Sequence, residues 1–314
     1  MFIITVTLNP ALDQTVTLEK LTVGAVHRAS SVEQHAGGKG VNVSSCLADW
    51  GVPTLAAGFL GRNNAAIFEN FLLKKGIKDR FFRLNGDTRT NIKIVDATGT
   101  TDLNLPGVKL ADDDGQKLER MLLDGVFAAT TGTAILAGSL PPNCPTDIYR
   151  KLLTGLKKRG CRVFLDADGA ALQAALAGDV LPDCIKPNER EFAEWAGGEA
   201  LSRAEMIAAA DRLRGRGLGL VVISLGADGA LFIGDEIIHA AGTLDRITST
   251  VGAGDAMMAG IAAAENEGGN LERVARLGTA FSLAKLGLSG ANLPEKAAVE
   301  NIARQVRIEK IKRG

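Results

Sequence analysis

Leu220-Val221-Val222-Ile223-Ser224-Leu225-Gly226-Ala227-Asp228-Gly229-Ala230 sets an unbroken apolar run against a turn punctuated by two glycines. A strand covered on both faces needs apolar side chains at every position, so the run reads as a buried strand of a parallel sheet. Similar short apolar runs occupy residues 3–8, 54–59, 133–137, 162–166 and 184–186. Helical periodicity separates them over residues 42–50, 67–75, 116–123, 148–159 and 204–214. This alternation predicts right-handed βαβ units in a doubly wound α/β sheet with helices on both sides. Ligands in such a sheet lie beyond the carboxyl ends of the strands.

Two segments depart from the rhythm. Residues 13–34 and 88–105 alternate apolar with polar, as in Asn91-Ile92-Lys93-Ile94-Val95, then Asp96-Ala97-Thr98-Gly99, then Thr101-Asp102-Leu103-Asn104-Leu105. The pattern predicts a hairpin with one wet face, and the two excursions together a small antiparallel β lid over the strand ends. We therefore divide the chain into an α/β core (residues 1–9, 36–87 and 107–314) and a lid (10–35 and 88–106). The lid's apolar face needs cover, which a second copy of the chain supplies economically, so a homodimer through the lid is expected.

The 314 residues are 46% hydrophobic, enough for a sizeable core, and 36 basic residues balance 36 acidic ones. A net charge of zero gives no general attraction to nucleic acid or an anionic membrane, so neither is expected as a partner. An anionic substrate has to be held by local charges. No apolar run approaches the roughly 18 residues of a membrane span, and the first strand carries no leader-like flank, which reads as a cytoplasmic protein. Cys46, Cys144, Cys161 and Cys184 are widely separated and form no Cys-x-x-Cys pair, which suits reduced thiols rather than a zinc site. The three histidines, His27, His35 and His239, have no metal-ligand spacing.

The chemistry concentrates in glycine-rich loops. In Ser249-Thr250-Val251-Gly252-Ala253-Gly254-Asp255, a glycine turn delivers one carboxylate into the first turn of a small-residue helix. Unpaired amides and the helix dipole favour an anion there, and Asp255 is placed to take a proton from an attacking hydroxyl. The same dipole predicts a low pKa for that carboxyl. A helix cap is the alternative role for Asp255. Gly37-Gly38-Lys39-Gly40-Val41-Asn42 opens another helix with a positive charge suited to phosphate; it matches neither the Walker loop nor the dinucleotide fingerprint. Lys186-Pro187-Asn188-Glu189-Arg190-Glu191 places Asn188 and Glu191 one helical turn apart, as oxygen ligands for Mg²⁺ through water or as a capping box. Gly226 and Gly229, after Ser224, leave room for an extended ligand, unless the stretch is a plain turn. Asp13 is a candidate for sugar hydroxyls, Arg89 offers bidentate phosphate geometry, and Arg28 belongs with it on weaker grounds. The loop Gly138-Ser139-Leu140-Pro141-Pro142 ends another strand.

Taken together, Gly37 to Asn42, Lys186 to Glu191 and Thr250 to Asp255 resemble the signature set of the ribokinase and phosphofructokinase B family of sugar kinases. The resemblance spans nearly the whole chain. It implies a ribokinase-like three-layer sandwich with a β lid. Residues 7–13, 58–61, 88–93 and 101–104 are similar to the branch acting on ketohexose phosphates. That branch uses ATP and Mg²⁺ on the 6-hydroxyl of fructose 1-phosphate; tagatose 6-phosphate and fructose 6-phosphate are the alternative substrates. By motif matching, Asp255 would be the base and Gly252, Ala253 and Gly254 the anion hole. Lys39 and Arg89 would hold the substrate phosphate, Asp13, Gly38 and Asn42 the sugar, with Ser139 and Arg28 beside them. Lys186, Asn188, Ser224, Gly226, Gly229 and Gly254 would serve ATP, and Asn188 and Glu191 the metal. A dehydrogenase lacks support because the dinucleotide fingerprint is missing. A non-catalytic sugar-phosphate sensor would not need Asp255 with Asn188 and Glu191.

Overall fold

A computed structural model describes residues 2–126, 132–244, 247–288 and 290–313. β1 (Ile3–Thr7) is buried at all five positions, as a strand covered on both faces must be. β2 (Ala11–Thr17) and β3 (Ser31–Gly37) leave its layer, and α1 (Lys39–Asp49) returns the chain to β4 (Thr54–Gly61). Next come α2 (Ala66–Lys74), β5 (Lys78–Leu84) and the hairpin β6 (Arg89–Asp96) and β7 (Gly99–Asn104). Alternation then resumes with α3 (Asp114–Arg120), widening into a π-helical turn over Met121–Val126, β8 (Thr133–Ala137), α4 (Ile148–Lys158) and β9 (Arg162–Asp166). α5 (Gly169–Leu176), β10 (Cys184–Ile185), α6 (Glu189–Ala196), α7 (Arg203–Gly215) and β11 (Leu220–Ser224) continue it. The chain closes with β12 (Ala230–Ile233), β13 (Ile237–Ala241), α8 (Ala253–Asn266), α9 (Leu271–Leu286), α10 (Lys296–Gln305) and β14 (Arg307–Ile311).

One ten-stranded sheet runs in the order β14-β13-β12-β11-β10-β9-β8-β1-β4-β5. Pairing is parallel from β11 to β5 and antiparallel from β11 to β14. Helices cover both faces. Leu152, Leu172, Phe192 and Leu213 pack on one side, and Val43, Met258, Phe281 and Val299 on the other, giving the expected three layers. The apolar run at 220–225 is thus the last parallel strand and the first antiparallel one. β5 and β14 carry charged residues because each is an edge with a face in solvent, and a continuous apolar run does not mark them.

The small sheet has the order β3-β2-β6-β7. Its two outer pairs are antiparallel, but β2 and β6 run parallel, with Asp13 opposite Asn91 and Thr15 opposite Lys93. This corrects the expectation of an antiparallel lid. The excursions leave the core after β1 and after β5 in the same direction, so their inner strands meet side by side without a hairpin between them.

Loops after β1, β8, β9, β10 and β11 converge at the carboxyl end of the parallel strands, because all five strands point the same way. Among the described residues, no helix is long and apolar enough to cross a membrane. The approach of β4 to β1 depends on Gly58, which has φ +132° and whose added Cβ would lie 1.8 Å from the Thr7 carbonyl oxygen. Gly58→Ala should therefore destabilise the protein by at least about 2 kcal/mol, through both the clash and the left-handed backbone. Urea unfolding followed by circular dichroism checks this; a wild-type midpoint would contradict it.

Candidate active site

Gly252 precedes α8 in a left-handed conformation, φ 79° and ψ 4°, and no side chain caps the helix. A side chain there would be strained, and its absence leaves the start of α8 without a side-chain cap, although Ala253 N donates to the Thr250 carbonyl at 3.4 Å. Asp255 follows, only 9% exposed, and its Oδ2 accepts a 2.7 Å hydrogen bond from Asn42 Nδ2. Helix capping is therefore not its role. Asn42 is buried in the first turn of α1, so this bond ties together the starts of the two glycine-opened helices, whose later turns pack in one core.

The Asp255 carboxyl is pushed up to about 6. Burial is the main cause and the charge of Asp166 adds to it, while Asn42, Lys39 and Lys186 pull the other way. The low pKa expected from the helix dipole is thus overturned: loss of water and a second carboxylate outweigh the helix end.

Asp166 is that second carboxylate, 1% exposed at the end of β9. Lys39 Nζ lies 3.0 Å from its Oδ1 and Lys186 Nζ 3.0 Å from its Oδ2. Burial alone would raise the Asp166 pKa, but the two ammonium groups together hold it below the usual carboxylate range. Burial likewise works against a charged Lys39, yet Asp166, Glu191 and Asp255 hold its pKa above the ordinary lysine range. Lys39 and Lys186 therefore form one basic pair around a shared carboxylate. Lys186 Nζ also stands 3.3 Å from where a Cβ on Gly254 would lie, over the turn that carries the amides.

On the side of β10 and β11, Asn188 and Glu191 form a reciprocal capping box for α6: Glu191 N donates to Asn188 Oδ1 at 2.8 Å, and Asn188 N donates to Glu191 Oε2 at 2.9 Å. Asn188 also bridges to Ser224 at the end of β11, and Gly226 and Gly229 flank the short turn beyond. Among the described residues, no cluster of three or more His, Cys, Asp or Glu could grip a metal by itself. The donor set fits a hard cation held chiefly by water and phosphate oxygens, with the second oxygen of Glu191 as the protein's contribution.

A cleft of about 570 Å³ opens between the small sheet and the start of α8, bounded by Asp13, His35, Asn42, Lys93, Gly252 and Lys285 among others. Asp13 Oδ1 accepts from Asn91 Nδ2 at 3.0 Å. Burial raises the Asp13 pKa despite Asn91, Lys93, Arg89 and His35. Burial lowers that of Arg89, whose Nε is enclosed with no hydrogen-bond partner among the described residues. Ser139 Oγ accepts from Asn9 Nδ2 at 3.1 Å. Of the residues assigned to the sugar phosphate, Asp13 and Asn42 line this cleft, whereas Gly38, Lys39, Arg89 and Ser139 are not part of its wall. Arg28 is exposed in the connection between β2 and β3, also outside it.

Sequence reasoning missed Asp166, Lys93 and Lys285. An aspartate closing an apolar parallel strand was a usable signal for Asp166. The two-residue period that places Lys93 on the face of Asn91 was a signal for Lys93.

Residues 6–298 match the pfkB family of carbohydrate kinases, and the chain belongs to that family. It is 47% identical to a protein named 1-phosphofructokinase from Xanthomonas campestris pv. campestris, over 90% of each chain. It is 41% identical to a protein of the same name from Rhodobacter capsulatus, over 98% of this chain and 97% of that one. Phosphofructokinase-2 from Escherichia coli, solved in complex with substrates and products, superposes with a TM-score of 0.87 at 26% identity, covering 97% of this chain and 99% of its own. Ribokinase from Arabidopsis thaliana shares the fold, with a TM-score of 0.77 at 22% identity over 96% of this chain and 98% of its own.

A carboxyl raised from 3.8 to about 6 keeps its proton longer in the folded chain than in the unfolded one. Stability from this group is therefore full below pH 4 and lost as pH rises through 6, a difference on the order of 3 kcal/mol. Asp255→Asn should melt higher than wild type at pH 7.5, with the advantage shrinking as pH falls toward 4. Calorimetry across that range checks it; an advantage that grows toward acid would contradict it.

Proposed function

We propose that this chain transfers the γ-phosphoryl group of ATP to the 6-hydroxyl of fructose 1-phosphate, giving fructose 1,6-bisphosphate. The observation that carries the reading is a buried carboxyl, Asp255, hydrogen-bonded to Asn42, which with Gly252 and Asp13 lines the cleft. The family membership and the relatives named 1-phosphofructokinase support it.

In this reading Asp13 and Asn42 fix the sugar, so that its 6-hydroxyl faces Asp255. Lys93, in the cleft wall, and Arg89 beyond it both pull on the Asp13 carboxyl, so in this reading they hold the sugar's phosphate. Lys39 moves to the other substrate: with Lys186 it neutralises the transferring phosphoryl group. Gly252, Ala253 and Gly254 present amides to the same charge, which they meet without reorganising. Asp255 accepts the hydroxyl proton late in a loose transition state. Its pKa of about 6 leaves it ionised at neutral pH and a better base than an ordinary aspartate. Ser224, Gly226 and Gly229 form the shelf for the nucleotide, and Asn188 and Glu191 would hold Mg²⁺ through water, the metal screening charge between the phosphates.

The small sheet closes over this site and pairs with that of a second copy in a cytoplasmic homodimer. Val32 on β3 and Leu103 on β7 are 55% and 47% exposed, and Val23 and Val26 in the β2–β3 connection are 99% exposed. Apolar groups left bare on one sheet favour a like partner.

A coupled ADP-release assay over fructose 1-phosphate, fructose 6-phosphate, tagatose 6-phosphate, fructose and ribose should show the highest kcat/KM for fructose 1-phosphate. Asp255→Asn should lower turnover by about two to four orders of magnitude without loss of fold. Turnover confined to unphosphorylated sugars would contradict the substrate reading, and near-normal turnover of the variant would contradict the base. Sedimentation of a Val32→Asp, Leu103→Asp double variant should give a monomer where wild type gives a dimer; an unchanged dimer would place the interface elsewhere.

A further inference from the structure

His239, on β13, is 8% exposed and lies outside the wall of the cleft. Its Nε2 stands 2.7 Å from the Asp228 carbonyl oxygen. A carbonyl only accepts, so this nitrogen carries a hydrogen and donates it. Nδ1 faces the Glu309 carboxylate at 3.4 Å, across the register that sets His239 opposite Glu309 on β14. The ring is thus fixed between the edge strand of the large sheet and the turn that follows β11.

That turn, Gly226–Asp228, is a single 3₁₀ turn. Its own bonds are long, 3.2 Å from Asp228 N to the Leu225 carbonyl and 3.3 Å from Gly229 N to the Gly226 carbonyl. One such turn holds its shape weakly by itself. Its start is anchored where Ser224 N donates to the Pro187 carbonyl at 3.1 Å, beside the bridge between Asn188 and Ser224. Its far end depends on β13: His239 grips Asp228, and Gly229 lies so close that an added Cβ would run into the Ala240 carbonyl oxygen.

We propose that His239 is a positioning residue for the nucleotide: by donating to Asp228 it sets the Gly226–Asp228 turn as a rigid shelf before ATP arrives. A shelf already ordered spares the ligand the cost of ordering it. The shelf carries the part of the nucleotide that does not react, so its order serves the bound substrate and the transition state alike. This rests on the kinase reading above, in which Ser224, Gly226 and Gly229 hold the nucleotide.

His239→Leu removes the donor and keeps an apolar side chain in its place. Its KM for ATP should rise about five- to tenfold, the scale of one hydrogen bond, while kcat and the KM for the sugar hold. His239→Gln brings an amide hydrogen within reach of the same carbonyl and should restore the wild-type KM. Wild type offers a second readout that needs no turnover, because it has only three histidines. His27 lies in the β2–β3 connection and His35 on β3. In nitrogen-15 spectra of the imidazoles, assigned with His27→Gln and His35→Gln, magnesium ADP should shift the His239 signal, and fructose 1-phosphate alone should not.

A folded His239→Leu with the wild-type KM for ATP overturns the proposal, as does a His239→Gln equally impaired or a kcat that falls along with binding. If neither variant folds, the spectra decide: ADP that binds by calorimetry and leaves the His239 signal unmoved overturns it. ADP that does not bind at all sinks the kinase reading, and this proposal with it, a result the calorimetry separates from the others.

Discussion

A single carboxylate, Asp166, buried between two ammonium groups organises the carboxyl end of the parallel strands in this protein. Without Lys39 and Lys186 it could not remain ionised at 1% exposure, and without it two lysines would face each other in a dry site. The three groups come from the start of α1 and the ends of β9 and β10. Keeping them together fixes how the first glycine-opened helix sits against the parallel strands. The Asn42–Asp255 bond then carries that geometry across to α8.

The same arrangement divides labour among charges of like kind. Asp166 spends its charge on the lysines, while Asp255 has a neutral amide as its hydrogen-bond partner and sits in the field of Asp166, so only Asp255 is driven upward in pKa. Two carboxyls within one buried site thus acquire different duties from their surroundings. Lys186, in turn, lies over the turn that carries the Gly252–Gly254 amides.

Much of this was legible in the chain. The unbroken apolar runs gave the parallel strands, because burial on both faces leaves no room for alternation, and the helices fell within a few residues of their periodic patterns. The glycine clusters at 37–40 and 252–254 marked the two helix starts that meet. What escaped were elements governed by partners rather than by local pattern. β5 and β14 carry charges because they are edges. The parallel pairing of β2 with β6 joins segments 78 residues apart in sequence, as the Asp13–Asn91 register shows. Lys39 looked like a free phosphate ligand, and only the fold brings Asp166 to it from 127 residues away. The pKa of Asp255 was misjudged for the same reason: the dipole is local and visible in sequence, whereas burial and Asp166 are tertiary.

The central claim is that Asp255 is a buried carboxyl raised by lost solvent and by an ionised Asp166. Carbon-13 NMR titration of the aspartate carboxyls, assigned by comparison with Asp255→Asn, tests it most directly. The account expects a midpoint for Asp255 near 6 that falls when Asp166 is replaced by Asn. An Asp255 midpoint in the ordinary aspartate range, unmoved by that replacement, would contradict it.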